Sequence, residues 1–154
     1  MYNSQIKERL ESAVFPVYSA EKILRTDGYL GTLSEIKKLS QLDDKLYNES
    51  YFQLIVNFAN LVQCIPDLKN KQQLWLHISL ERALIALKSA ESKNKDQLFR
   101  FAVFSASLCL FLGKVMTEFQ VVSCDKNGSC SYDVCLLSNF ISDRGGFYRM
   151  RPLF

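Results

Sequence analysis

The stretch Phe104–Lys114 reads FSASLCLFLGK and is the centre of an apolar run that begins at Phe99. Its composition predicts a helix over residues 95–112 that is apolar on nearly every side. A helix of that kind is expected to be central, with other elements packed against most of its surface. Gly113 is predicted to end the helix as a left-handed C-cap, because glycine lacks the Cβ atom that opposes this conformation.

A membrane span is a poor explanation of the same run. Arg100 interrupts it near one end, and Ser105 and Ser107 lie inside it. The uncharged part is shorter than the roughly 20 residues that a spanning helix needs. The sequence therefore favours a buried core helix.

Apolar residues at spacings of three and four predict further helical segments on the N-terminal side of this run. These segments are residues 4–14, 19–25, 33–40, 49–63 and 72–90. Asp27-Gly28 is predicted to stop the second of them. Thr32 and Glu35 form a capping-box pair at the start of the third, and Asn94 is the predicted N-cap of the central helix.

The pattern changes after the central helix. Alternating side chains predict a strand over residues 117–122, and the pair Asn127-Gly128 is a hairpin signal. Residues 129–134 are the expected partner strand. A helical turn at 136–141 and a last short strand at 147–153 are expected to follow.

Together these elements predict a mostly α fold. It is expected to be a helical bundle with a small C-terminal antiparallel β hairpin, in a single domain of residues 1–154. Helices are predicted to about residue 114, and a β appendage and tail over residues 115–154.

The composition is that of an ordinary globular domain. The chain of 154 residues is 48% apolar and 23% charged, which is close to the globular average. Its net charge of +3 is too small by itself to indicate binding to nucleic acid or to an anionic membrane. The first residues, MYNSQIKERLESAV, contain charges and lack the apolar core of a secretory signal.

The five cysteines are Cys64, Cys109, Cys124, Cys130 and Cys135. Their odd number, the absence of a CxxC pair and the absence of an export signal favour a reducing cytosol. Cys64 and Cys109 lie in apolar helical contexts and are interpreted as small core residues. The other three are spaced too irregularly for a typical zinc site, so no metal or cofactor is expected.

Several short motifs occur in an order that resembles a known family. They are Ser19-Ala20-Glu21, Ile65-Pro66, Leu80-Glu81-x-Ala83-Leu84, Leu112-Gly113-Lys114 and Tyr148-Arg149-x-Arg151-Pro152. Over nearly its whole length the chain is similar to the N-terminal domain of the HD-type relaxases of conjugative elements, the MobH class. The resemblance implies an HD-domain-like helical bundle.

The chain departs from this family at the metal-binding positions. Where the family has His-Asp-Ile-Gly-Lys, this chain has Leu110 and Phe111 before the Leu-Gly-Lys. Another ligand position is occupied by Ile78, and His77 lies one place earlier. A hard divalent cation needs oxygen or nitrogen donors, which these apolar side chains lack. We therefore expect no enzymatic activity and a former metal pocket filled with core.

The resemblance, with the small size of the chain, implies a non-catalytic adaptor or accessory subunit of a type IV secretion or conjugation coupling complex. In the type IVB (Dot/Icm) system such a subunit assists effector recruitment. Its implied partners are the tail of the coupling ATPase and small acidic chaperones similar to the IcmS–IcmW pair. The implied location is the bacterial cytoplasm, peripheral to the inner membrane through the complex.

Aromatic and basic residues outside the helical stripes are the candidate partner contacts. The candidate binding residues are Trp75, His77, Phe147, Tyr148, Arg149 and Arg151, and Tyr47, Tyr51 and Phe154 are further candidates for an apolar surface.

Two alternatives remain open. One is a remnant of a metal-dependent phosphohydrolase, in which His77 and Glu81, spaced for one helical face, gather a metal with Asp43, Asp44 or Asp96. The other is a nucleic-acid-binding conjugation protein, in which aromatic side chains stack on bases and arginines neutralise phosphates. The residues for that role are Phe147, Tyr148, Arg144, Arg149 and Arg151.

Overall fold

A computed structural model describes residues 13–63, 65, 74–93, 96–110, 112–134 and 146–153. The chain divides into two compact units. The helical unit is the continuous stretch Ala20–Leu110. The sheet unit combines Met1–Ser19 with Phe111–Phe154.

Six α-helices and one π-helical turn form the described part of the helical unit. They are α1 (Ala20–Leu24), α2 (Asp27–Ser40), α3 (Asp44–Tyr47), the π turn (Asn48–Phe52), α4 (Gln53–Val62), α5 (Trp75–Lys93) and α6 (Gln97–Cys109). Helix α5 packs against α2 and α6, and α1 packs against α4. Ile36, Ile55, Leu80 and Leu87 are fully buried between these helices, and each such side chain contributes about 1.5–3 kcal/mol of hydrophobic stabilisation.

Helix α2 begins earlier than its sequence predicts. The short helix predicted before Asp27-Gly28 does end there, at Leu24. Asp27 is nevertheless the first residue of α2 and Gly28 lies within its first turn, so the predicted start with a capping box at Thr32 is wrong. Glycine inside a helix costs roughly 1 kcal/mol relative to alanine. Burial of Tyr29 and Ile36 on the inner side of α2 offsets that cost.

The helix predicted over 49–63 is part of a longer helical run. The run begins at Asp44, where the carboxylate of Asp43 accepts a hydrogen bond from the Leu46 backbone N–H at 2.8 Å. It passes through the π turn and ends at Val62. The predicted helix over 72–90 is α5, which extends to Lys93. Asp96, rather than the predicted Asn94, is the N-cap of α6.

The described part of the sheet unit contains four antiparallel strands and one helix. They are β1 (Phe15–Pro16), α7 (Leu112–Glu118), β2 (Phe119–Cys124), β3 (Cys130–Val134) and β4 (Phe147–Pro152), with strand order β1-β4-β2-β3. Gly113 lies inside α7, so its predicted role as the C-cap of the central helix is wrong. The first predicted strand begins at Phe119 because the two residues before it belong to α7.

The predicted hairpin is confirmed as β2–β3. Its loop has three residues, because Asp125 donates its backbone N–H to the Ser129 carbonyl oxygen at 3.0 Å and accepts from the Gly128 N–H at 3.1 Å. Gly128 has φ +83°, the left-handed conformation that such a loop requires of its last residue. The Asn-Gly signal thus marks the turn correctly.

The fold class predicted from the sequence, mostly helical with a small antiparallel sheet, is confirmed. Most of the predicted helix 4–14 and the predicted turn at 136–141 lie outside the described residues. Residues 13 and 14 are not helical, and β1 follows them and pairs with β4. Among the helices that the structure describes, none has the length and apolar character needed to cross a membrane.

Candidate functional site

Helix α6 has two sides of opposite character. Arg100, Phe104 and Leu108, spaced by four residues, are at most 1% exposed and face the interior of the helical unit. Five exposed apolar residues lie on the other side. They are Leu98, Phe99, Ala102, Ala106 and Leu110, the last being the residue that follows the helix. We call this surface the α6 apolar face.

The α6 apolar face is continuous. At 100° of rotation per residue, its five members span about 120° of the helix circumference. The side chains of Leu98, Phe99 and Leu110 are 73%, 42% and 61% exposed. The two alanines lie between these larger side chains. The sole charged side chain of α6 is Arg100, which is buried, so no charge interrupts the face.

These positions correct two expectations from the sequence. The helix predicted to be central is covered on one side only. Leu110, expected to fill a former metal pocket as core, is exposed. Phe111, its neighbour in that expectation, lies outside the described residues. A run that is apolar on every side is compatible with a buried helix or with a helix that has one open side, and the structure shows the second.

Arg100 holds the buried side of α6 against the end of α2. Its Nη1 donates a hydrogen bond to the Leu39 carbonyl oxygen at 3.3 Å, and its side chain is 1% exposed. A buried guanidinium is costly unless its donors are satisfied. The carbonyl groups at the C-terminal end of α2 suit it because they carry the negative end of the helix dipole.

An aromatic cluster connects α6 with α3 and the π turn. Tyr51 meets Phe101 at 5.0 Å and Phe104 at 4.9 Å between ring centroids, and it stacks on Tyr47 at 6.1 Å. Burial raises the pKa of Tyr47 to about 12. Burial also raises the pKa of Tyr51 to about 12, against the opposing effect of the Arg100 charge. The hydroxyl groups of Tyr47 and Tyr51 are therefore protonated at physiological pH.

His77 and Glu81 do lie together, as their spacing predicts. The Nε2 atom of His77 is 3.3 Å from a Glu81 carboxylate oxygen, and the imidazole lies edge-on to the ring of Tyr29. The carboxylates proposed to complete a metal site are used elsewhere: Asp44 pairs with Lys37 at 2.6 Å, and Asp43 and Asp96 cap helices. Across the described residues, no three His, Cys, Asp or Glu side chains are grouped as a metal site requires.

The predicted partner-binding residues differ in their exposure to solvent. Trp75 and Tyr148 are 7% and 0% exposed, so their side chains pack in the interior and are not available on the surface as the sequence suggested. Tyr47 and Tyr51 are buried in the same way. On β4, Phe147 and Arg149 are half-buried, and Arg151 is exposed.

The remaining candidates are His77, which is half-buried on α5, and Phe154, which lies outside the described residues. Arg144, named for the nucleic-acid alternative, also lies outside the described residues. Tyr148, also invoked for base stacking, instead stacks on Phe15 at 5.5 Å between ring centroids. Sequence reasoning missed the α6 apolar face, although Leu98, Phe99 and Leu110 all lie in the helix predicted over residues 95–112.

No protein-family model matches this sequence, and no curated protein matches it at a significant level.

Proposed function

We propose that this chain is a non-catalytic adaptor, an accessory subunit of a bacterial type IV secretion or conjugation coupling complex that assists substrate or effector recruitment by protein–protein contacts. The observation that carries the proposal is the α6 apolar face. Five exposed apolar residues without a charge among them are unusual for a surface that water alone covers, and such patches are typical of protein interfaces.

The residue types at the family's metal positions support an adaptor rather than a hydrolase. Leu110 and Ile78 offer no donor atom to a cation. His77 and Glu81 supply two ligands, whereas zinc sites in proteins use three or four. The chemistry that remains is that of a binding surface.

The partners we propose are the tail of a coupling ATPase and small acidic chaperones of the IcmS–IcmW kind. An apolar stripe from the ATPase tail is the occupant proposed for the α6 apolar face, since a helix that lays its apolar side on another is a common recognition mode. The net charge of +3 gives a mild attraction to acidic chaperones. The proposed location is the bacterial cytoplasm, with contact to the inner membrane through the complex.

The test is affinity purification of the tagged protein from its native bacterium, with mass spectrometry of the proteins recovered with it. Two variants place a charge on the α6 apolar face, Leu98→Glu and Ala106→Glu. The matched control is Ile85→Glu, which changes a residue of α5 that is 66% exposed and lies outside the face. Circular dichroism and thermal melting establish that all three variants fold.

The proposal predicts recovery of a coupling ATPase and acidic chaperones in near-equal amounts with the wild type and with Ile85→Glu. It predicts loss of the ATPase with both face variants. Equal recovery with all variants would show that the α6 apolar face is not the contact. Recovery of the protein alone, or of a dimer of it, would overturn the adaptor function itself.

A further inference from the structure

Two cysteines face each other at the tip of the β2–β3 hairpin. Cys124 is the last residue of β2, Cys130 is the first of β3, and the two are direct partners in the antiparallel register. The hydrogen bond from the Asp125 N–H to the Ser129 carbonyl oxygen lies on the turn side of this pair. It makes Cys124 and Cys130 a non-hydrogen-bonded pair, the kind in which facing side chains are closer.

The spacing suits a covalent link between the two sulfur atoms. Cα atoms in non-hydrogen-bonded antiparallel pairs are about 4.5 Å apart, and disulfides span Cα distances of about 4.4–6.8 Å. Both cysteines are reduced here. Their thiols interact through a side-chain hydrogen bond, and the Cys130 thiol also donates to the Gly128 carbonyl oxygen at 3.5 Å.

The two thiols differ in access to solvent. Cys124 is 8% exposed, whereas Cys130 is half-buried. Burial raises the pKa of the Cys124 thiol, the adjacent Cys130 raises it further, and the guanidinium of Arg149 opposes both effects. A soluble oxidant therefore reaches Cys130 first, and Cys124 lies in position to react second.

We propose that Cys124 and Cys130 form a reversible redox site, which a small disulfide such as oxidised glutathione converts to a cross-strand disulfide. In the first step the Cys130 thiolate attacks one sulfur of the oxidant. A mixed disulfide forms, and one glutathione thiolate leaves. In the second step the Cys124 thiolate attacks the Cys130 sulfur and displaces the second glutathione. The protein loses two thiol protons and two electrons, and the oxidant becomes two molecules of reduced glutathione.

The test uses the full chain, incubated with oxidised glutathione, alkylated at its free thiols, and digested with trypsin and chymotrypsin. Trypsin cleaves after Lys126, within the loop, and chymotrypsin cleaves after Phe119 and Tyr132. The expected product is the peptide QVVSCDK joined to NGSCSY, which separates on addition of a reductant. Two of the five thiols are expected to escape alkylation.

Matched variants identify the pair. Cys135→Ser and Cys109→Ser are expected to keep the cross-linked peptide, and Cys130→Ser is expected to abolish it. Absence of the cross-link in the wild type under excess oxidant would overturn the proposal, whatever the variants do. A link from Cys124 to Cys135 instead of Cys130 would also overturn it.

Discussion

Arg100 of α6 donates a hydrogen bond to the carbonyl oxygen of Leu39 in α2, although its guanidinium is almost fully buried. This contact joins two helices that are distant in the sequence. The opposite side of α6 carries no charge, because Arg100 is the sole charged side chain of the helix. The burial of this one charged side chain thus links α6 to α2 and leaves the exposed side of α6 without a charge.

Replacement of Arg100 by alanine is expected to lower the free energy of unfolding by about 2–4 kcal/mol. The variant removes a large buried side chain, and it leaves the Leu39 carbonyl group without this donor. The measurement is urea denaturation followed by circular dichroism. Arg25→Ala, at an exposed position, is the control and should change stability by less than about 0.5 kcal/mol. A similar small effect for both variants would contradict the structural role of Arg100.

Tyr51 and Tyr47 should respond differently to loss of their hydroxyl groups. The Tyr51 hydroxyl is buried and has no hydrogen-bond partner among the described residues, so Tyr51→Phe is expected to leave stability unchanged or to raise it slightly. The Tyr47 hydroxyl donates to the Leu33 carbonyl oxygen at 3.4 Å. Tyr47→Phe is therefore expected to cost about 0.5–1.5 kcal/mol. Chemical denaturation of both variants measures the two changes in free energy of unfolding. A larger loss for Tyr51→Phe than for Tyr47→Phe would contradict the prediction.

The same tyrosines predict a loss of stability at high pH. Their pKa is about 12 in the folded protein, against 10.0 for an ordinary tyrosine. The folded state therefore holds these two protons more tightly than the unfolded state. The contribution of these two tyrosines to the free energy of unfolding is therefore complete below about pH 10. It decreases as the pH rises from about 10 towards 12.

Absorbance of tyrosinate during an alkaline titration measures this directly. A late phase near pH 12 is expected in the wild type and should be absent from the Tyr47→Phe/Tyr51→Phe double variant. A late phase of equal size in both proteins would assign it to other tyrosines.

Gly128 is expected to be far less replaceable than Gly146. A Cβ atom at Gly128 meets the guanidinium of Arg149 and lies 3.2 Å from a methyl group of Val14, and the residue has φ +83°. Left-handed backbone alone costs a residue with a side chain about 1–2 kcal/mol. At Gly146 a Cβ atom has no neighbour within 4 Å among the described residues.

Thermal melting of Gly128→Ala and Gly146→Ala provides the comparison. Gly128→Ala is predicted to lower the melting temperature by several degrees, since about 1 kcal/mol shifts it by roughly 2–8 °C in domains of ordinary size. Gly146→Ala should stay close to the wild type. Equal melting temperatures would mean that the hairpin loop accommodates a side chain by moving Arg149.

The secondary structure was largely predictable where one signal dominated. The Asn127-Gly128 pair identified the hairpin, and helical spacing identified α5. The start of α2 was missed because glycine and aspartate favour a break locally, whereas the burial of Tyr29 depends on a helix, α5, that is far away in the sequence. Local propensity is a weak guide when tertiary burial opposes it.

The candidate site was only half predictable. The apolar character of Leu98 and Leu110 was visible, but no periodicity tells which side of an apolar helix is covered. The burial of Arg100 was equally hidden, because a single charge in an apolar run is also what a solvent-exposed position produces. Cys124 and Cys130 carried a clearer signal: they stand at equal distances from the turn, so a three-residue loop brings them face to face.

The pairing of β1 with β4 has a consequence for the order in which the protein folds. The whole helical unit, residues 20–110, lies between Phe15 and the strand with which it pairs. The entropy lost on closing a loop increases with its length, and contacts between residues distant in the sequence form slowly. In hydrogen-exchange pulse labelling during refolding, amides of α5 and α6 are therefore expected to gain protection before the Val17 N–H that bonds to the Gly146 carbonyl oxygen. The pairing of β1 with β4 is therefore expected to be the last step in forming the sheet.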